Sequence, residues 1–246
     1  MSNTNPDYAP VVLITGAAKR IGKTIAQHFH QQGFNVIVHC NASKKAAELL
    51  VNQLNNKRSN SAIALSADLN IHEEITQLAK QAIGWQNRID VLVNNASTYF
   101  PQDLADTTLA NWDNLFNSNA KAPYFLTQAL LPKLQENQGS VVNIIDCNLE
   151  RPKPHYSAYQ MAKAALAMMT KVLAKELSPE VRVNGVAPGA IIWAEHEKGK
   201  QAEQVLKAIP LERTGEPEDI AEAVYFLTQA GYITGQILNV DGGKSI

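Results

Sequence analysis

Short apolar runs alternate along this chain with segments of helical spacing, and that alternation limits the fold more than any other feature of its 246 residues. VVLIT at Val11–Thr15 is almost wholly apolar, as suits a strand covered on both faces, and Gly16 ends it. A helix follows from about Arg20 and stops at Gly33. The pattern repeats as strand Asn35–His39, helix Lys44–Asn56, strand Ala62–Ala67, helix Ile71–Trp85 and strand Asp90–Asn94. The second half reads as helix Asn111–Glu136, strand Ser140–Asp146, helix Ser157–Leu177, strand Val181–Val186, helix Glu216–Thr228 and strand Gln236–Val240. Strands joined through helices run parallel with right-handed crossovers, so the expected fold is α/β with a doubly wound parallel sheet. No repeat, low-complexity stretch or linker interrupts it, and residues 1–246 are expected to form a single domain.

In such a sheet ligands bind beyond the carboxyl ends of the strands, near the switch in strand order. Those ends carry Gly16, Asn95, Asp146 and Pro188. From Thr15 to Gly22 the chain reads TGAAKRIG, a turn from the first strand into the first helix. Gly16 permits a tight turn and Gly22 close packing, while the helix start at Arg20 and Ile21 presents N–H groups and partial positive charge to a pyrophosphate. A structural tight turn is the alternative. After the second strand comes His39-Cys40-Asn41-Ala42-Ser43-Lys44-Lys45, with no acid to hold a ribose 2′-hydroxyl. Asn41 and Ser43 can hydrogen-bond a phosphate, and Arg20 and Lys44 can supply charge, which favours NADPH over NADH. Otherwise Lys44 and Lys45 are a solvated helix start. Asp68-Leu69 and Asn94-Asn95-Ala96-Ser97 are turn chemistry at strand ends; in a cofactor reading Asp68 faces the adenine and Asn94 to Ala96 line the ribose side.

Tyr159 and Lys163 lie four residues apart and share one helical face. A phenol with an ordinary pKa near ~10 is a poor acid or base at neutral pH, and an ammonium beside it is expected to lower that value. Asp146 ends a buried-type strand ahead of this pair. An ionised Asp there would repel an incipient alkoxide, whereas a carboxyl group suits a C=N bond, accepting N–H bonds or helping to pass a proton. A solvated or capping loop residue is the other reading of Asp146.

The formal net charge of −1 gives no global reason to bind nucleic acid or an anionic membrane. Two cysteines, Cys40 and Cys147, are too few for a disulfide framework and have no metal-ligand spacing, which fits free thiols in a reducing cytoplasm. The first residues are polar and no later apolar run approaches the ~20 residues that span a bilayer, so a soluble cytoplasmic protein is expected.

With T-G-x-x-x-x-x-G at Thr15, N-N-A at Asn94, Asn119, Y-x-x-x-K at Tyr159 and P-G at Pro188-Gly189, the chain resembles the short-chain dehydrogenase/reductases over nearly its whole length. The resemblance implies that Tyr159 donates a proton, Lys163 lowers its pKa and holds the nicotinamide ribose, and Asn119 anchors a proton-relay water. Family members are often tetramers, and the Ala and Met residues on several faces of helix 157–177 suit burial against another subunit, so a homotetramer is expected. Three residues depart from the common pattern: Arg20 for Gly, Ser97 for Gly, and Asp146 for Ser. All three occur in the pteridine reductases, which this chain resembles in these segments. By that resemblance Ser97 pairs with the pterin edge, Tyr99 forms an aromatic wall, and Arg20 touches both the cofactor phosphate and the pterin. Ala42 stands where those enzymes carry an Arg. Trp193 could cap the pterin or serve packing, and no role is assigned to His196. The expected activity is NADPH-dependent reduction of a pterin or dihydropterin, with dihydrofolate as a further substrate. The rivals are a carbonyl reductase, such as one acting on 3-oxoacyl thioesters, and a non-catalytic NADP(H) sensor.

Overall fold

The computed structural model describes residues 9–191 and 206–246, so Trp193 and His196 lie outside the described residues. Strands β1 (Val11–Ile14), β2 (Asn35–Cys40), β3 (Ala62–Ser66), β4 (Val91–Asn94), β5 (Ser140–Ile144), β6 (Arg182–Pro188) and β7 (Ile237–Val240) join in one sheet. Its order is β3-β2-β1-β4-β5-β6-β7, and every pair is parallel. The order reverses between β1 and β4, which puts the crevice of a doubly wound sheet at the ends of those two strands.

Successive residues of a strand face opposite sides, and β1 shows the consequence directly. Val12 and Ile14 pack with Ile25 and Phe29 of α1 (Arg20–Gln31), Leu50 and Leu54 of α2 (Lys44–Lys57), and Ile220 and Val224. Val11 and Leu13 pack on the other face with Ile75 and Leu78 of α3 (His72–Gln86) and with Leu126 and Leu130. Burial on both faces is what makes the inner strands β1, β2, β4 and β5 near-continuous apolar runs rather than alternating ones.

The helix expected over Asn111–Glu136 is instead α4 (Leu109–Phe116), a π-helical turn at Asn117–Lys121, and α5 (Ala122–Glu136). The break has a local cause. Pro123 has no N–H to give the Asn119 carbonyl, which a regular i→i−4 ladder would require. Ser118 Oγ and Asn119 Nδ2 also donate to the carbonyls of Asn114 and Leu115, at 2.8 and 3.0 Å, which competes with the main-chain ladder. Two further helices among the described residues are α6 (Ser157–Glu176) and α7 (Pro217–Gln229), the latter started by a capping box between Glu216 and Asp219.

Candidate active site

The glycine turn after β1 is held from three sides. Thr15 Oγ1 accepts from the N–H groups of Asn95 (3.0 Å) and Ala96 (2.9 Å), and Asn95 Nδ2 donates to the carbonyls of Thr15 (2.8 Å) and Gly16 (3.2 Å). Asn95, expected on the ribose side of a cofactor, therefore commits its amide donors to the turn itself. Gly16 sits at φ +63°, and a Cβ on Gly22 would lie 2.4 Å from the Gly16 carbonyl oxygen. No larger residue fits at Gly22 without moving main chain.

The third support is His39, which sequence reasoning missed. Its Nδ1 accepts from Gly16 N (3.1 Å), so Nε2 carries the proton and donates to the Ala67 carbonyl (3.1 Å). Burial pushes its pKa down to about 4, with the Ala67 carbonyl and the Asp68 charge pulling the other way. The unfolded chain, with an ordinary histidine near 6.5, binds more protons than the folded one between those values, so stability is expected to rise with pH across about 4 to 6.5. The full effect is about 3 kcal/mol, measurable as the difference between the parent and His39→Asn in urea midpoints at pH 4.5 and 7. Equal pH dependence in both proteins would count against a neutral His39.

Around this turn the donor set suits a phosphate-bearing dinucleotide. Lys19 caps α1 with no side-chain oxygen, Ser43 caps α2 without a side-chain hydrogen bond, and neither first turn contains an acid. Helix amides uncapped by the chain's own carboxylates favour an anion. Arg20 is exposed at φ +52°, a left-handed conformation that costs a non-glycine residue about 1–2 kcal/mol. Ile21 is half-buried, and exposed Asn41 and half-buried Ser43 follow the end of β2. Asp68, expected to face an adenine, turns one carboxylate oxygen inward: its Oδ1 accepts from Asn70 N and Nδ2, both at 2.9 Å, and Leu69 is buried. Pro188 ends β6, and Gly189 follows where a Cβ would lie 2.6 Å from Cα of Asp241.

At the far side of the crevice Asp146 and Tyr159 meet. The Tyr159 hydroxyl donates to Asp146 Oδ2 at 2.9 Å. Lys163, on the same face of α6, is buried and donates from Nζ to the Ile144 carbonyl at 2.8 Å, with the Tyr159 ring centroid 5.8 Å away. Burial brings the lysine pKa down to about 8, opposed by Asp146. The expectation of a lowered phenol pKa fails in this arrangement. Burial, then the charge of Asp146 and its hydrogen bond, raise Tyr159 well above the usual value. The nearest charge to the phenol is the carboxylate, and it holds the proton on the oxygen.

Tyr99 stands against this pair. Its ring is edge-on to Tyr159 (centroids 4.9 Å) and stacked on Tyr156 (4.8 Å), and its hydroxyl accepts from Lys153 Nζ at 3.1 Å. Tyr156 went unrecognised in the sequence. Ser97 donates to Asn119 Oδ1 at 2.7 Å, so its proton is directed at Asn119, and only the oxygen lone pairs are left to meet a ligand donor. Asn119 Nδ2 donates to the Thr98 carbonyl as well as to Leu115. With both ends of its amide engaged, any water Asn119 anchors would be held by its main chain.

Below the crevice a buried amide chain joins sheet and helix. Asn94 Nδ2 donates to Asn143 Oδ1 (2.8 Å), Asn143 Nδ2 to Thr170 Oγ1 (2.9 Å), and Thr170 Oγ1 to the Leu166 carbonyl (2.9 Å). Asn94, expected beside a cofactor, is thus a structural member of β4.

The profile of a protein family described as Enoyl-(Acyl carrier protein) reductase matches residues 16–245. Pteridine reductase 1 of Leishmania tarentolae is 34% identical over 99% of each chain. The 3-oxoacyl-[acyl-carrier-protein] reductase of Synechocystis sp. is 36% identical over 96% of each chain, and that of Staphylococcus epidermidis 33% identical over 94% of this chain and 97% of its own. A parallel sheet that switches at a glycine turn, a Tyr and a Lys one helical turn apart beside it, and full-length likeness to these reductases have one reading: the chain is an oxidoreductase of the short-chain dehydrogenase/reductase family.

Proposed function

We propose that this protein is an NADPH-dependent reductase of a pterin or dihydropterin, dihydrofolate included. The observation that carries the reading is the Tyr159 hydroxyl on Asp146 Oδ2 at 2.9 Å. In a carbonyl reductase the hydroxyl must follow a developing alkoxide, and a carboxylate at that point opposes the new negative charge. At a C=N bond the demand is reversed: nitrogen gains a proton, and its N–H groups need acceptors. Asp146 accepts from the substrate's N–H edge, and the Tyr159–Asp146 hydrogen bond keeps a proton at hand for that nitrogen. Tyr99 supplies an aromatic wall beside Tyr159, and Ser97 offers an acceptor to the pterin edge.

Reductases of this family use NAD(P)H. In our reading Gly16, Arg20, Ile21, Asn41, Ser43, Asp68, Leu69, Ala96, Pro188 and Gly189 line the cofactor, and Tyr159 and Lys163 meet its nicotinamide ribose. When bound, the cofactor supplies hydride to carbon. The absence of an acid after β2 and the charge of Arg20 and Lys44 support NADPH over NADH. Arg20→Ala is expected to weaken NADPH much more than NADH, shrinking the preference by about tenfold or more, since charge-assisted hydrogen bonds contribute roughly 1.5–3 kcal/mol. Titration with each cofactor measures it; equal losses would remove Arg20 from the 2′-phosphate.

Exposed Met161, Met168 and Val172 on α6 and Tyr124 on α5 support a homo-oligomer, with a tetramer as the expected size. No helix among the described residues is long and apolar enough to cross a membrane. Both cysteines are free and buried, in keeping with a cytoplasmic location.

The test is NADPH oxidation against dihydropterins, dihydrofolate, oxidised folate and an acetoacetyl thioester. We expect turnover of the dihydropterins and little of the thioester. The reverse result would make this a 3-oxoacyl thioester reductase like the Synechocystis relative, and binding of NADPH with no turnover of any of them would make it a sensor.

A further inference from the structure

The turn that follows Asp146 is built around one residue that neither the motifs nor the family likeness singles out. Asn148 reaches Asp146 Oδ1 twice, from its main-chain N–H and from Nδ2, both at 2.7 Å. Tyr159 takes the other oxygen, Oδ2. The two faces of the carboxylate are therefore divided: one is held by the turn, the other meets the phenol. The carbonyl of Asn148 is itself held, by Arg151 N at 3.1 Å and by Gln160 Nε2 at 3.3 Å. Gln160 follows Tyr159 on α6, and its Oε1 accepts from Lys153 N at 3.0 Å, so this one side chain bridges both ends of the loop 148–153. Lys153 then reaches back to the Tyr99 hydroxyl.

We propose that Asn148, braced by Gln160, is a positioning residue that fixes the tilt of the Asp146 carboxylate plane towards Tyr159. A carboxylate on a single strand-end residue can rotate about its last torsion, which is broad and roughly two-fold. A main-chain N–H two residues on is a common local partner of Asp and would not by itself stop that rotation. The second donor does: with two N–H groups converging on one carboxylate oxygen, tilting the plane away breaks both at once, and each is a charge-assisted bond. Gln160 extends the constraint to the helix that carries Tyr159, so carboxylate and phenol are referenced to the same element. Orientation of this kind acts on turnover rather than on binding, because the reacting geometry is needed only in the chemical step.

This inference rests on the proposed role of Asp146 in the reaction, and a double-mutant cycle separates the two. First, the parent is assayed against the substrate panel; the cycle then uses whichever substrate it turns over fastest, so a wrong pterin assignment does not decide the fate of Asn148. Asn148→Ala is expected to lower kcat about tenfold, with KM, NADPH affinity and melting temperature nearly unchanged, because the main-chain N–H bond remains. In an Asp146→Ser background, where no carboxylate needs orienting, the same change should have little further effect. Gln160→Glu keeps the acceptor for Lys153 N and loses the donor to Asn148, and should reproduce part of the loss in kcat alone. An equal loss from Asn148→Ala in both backgrounds, or a fall in melting temperature that accounts for the lost turnover, would reduce Asn148 to a loop clip and overturn the proposal.

Discussion

Tyr159→Phe is expected to lower kcat for dihydropterin reduction by about a hundredfold or more, the scale of a lost general acid. NADPH affinity should hardly move, because the ring still fills its buried place against Tyr99 and Leu115 while only the hydroxyl goes. The arrangement adds a second loss. Asp146 Oδ2 forfeits the donor that restrains it at 2.9 Å, so the carboxylate becomes freer as well as proton-poor. Steady-state rates with a fluorescence titration of NADPH decide the matter. Retained turnover with tight NADPH binding would remove Tyr159 from the chemistry.

Asp146→Ser changes the kind of reaction the site favours. Dihydropterin reduction should fall about tenfold or more, since the substrate's N–H edge loses a charged acceptor. Weak reduction of an acetoacetyl thioester should appear, because a hydroxyl donor can follow an incipient alkoxide where a carboxylate opposes it. NADPH affinity should be nearly unchanged in the same preparation. If the Ser variant reduces dihydropterin as well as the parent, Asp146 is no determinant of the substrate, and the pterin reading loses the observation that supports it best.

The order of elements was legible because the inner strands, buried on both faces, leave an unmistakable apolar trace and the edge strands repeat it more weakly. VVLIT, NVIVH and their successors mark strands that coincide with β1 to β7 to within two residues at each end. Tyr159, Lys163 and Asp146 were equally readable, the first two from helical spacing and the third from its place at a strand end. The sign of the Tyr159 shift was not. Spacing on a helix says which residues share a face, but it cannot say that the Lys163 ammonium turns to the Ile144 carbonyl while Asp146 takes the phenol proton. The π turn was missed although Pro123 announces it, because apolar residues at helical spacing resume directly after the proline. His39, Asn143, Tyr156 and Asn148 escaped for a common reason: each does its work through a hydrogen bond or ring contact to a residue that only the fold brings near.

The chain of amides from Asn94 through Asn143 to Thr170 has a consequence for how errors in folding are rejected. Strand side chains alternate, so sliding β5 by one residue against β4 would turn Asn143 to the opposite face of the sheet. Apolar neighbours such as Val142 and Ile144 would tolerate that exchange, since both faces of this sheet are greasy. The amides would not: each unpaired group left in the interior costs roughly 1–3 kcal/mol. Three polar residues thus act as a proofreading key for a sheet that hydrophobicity alone could assemble in more than one alignment. Because the key ends on α6, the helix bearing Tyr159 and Lys163 is docked in the one alignment that brings them beside Asp146.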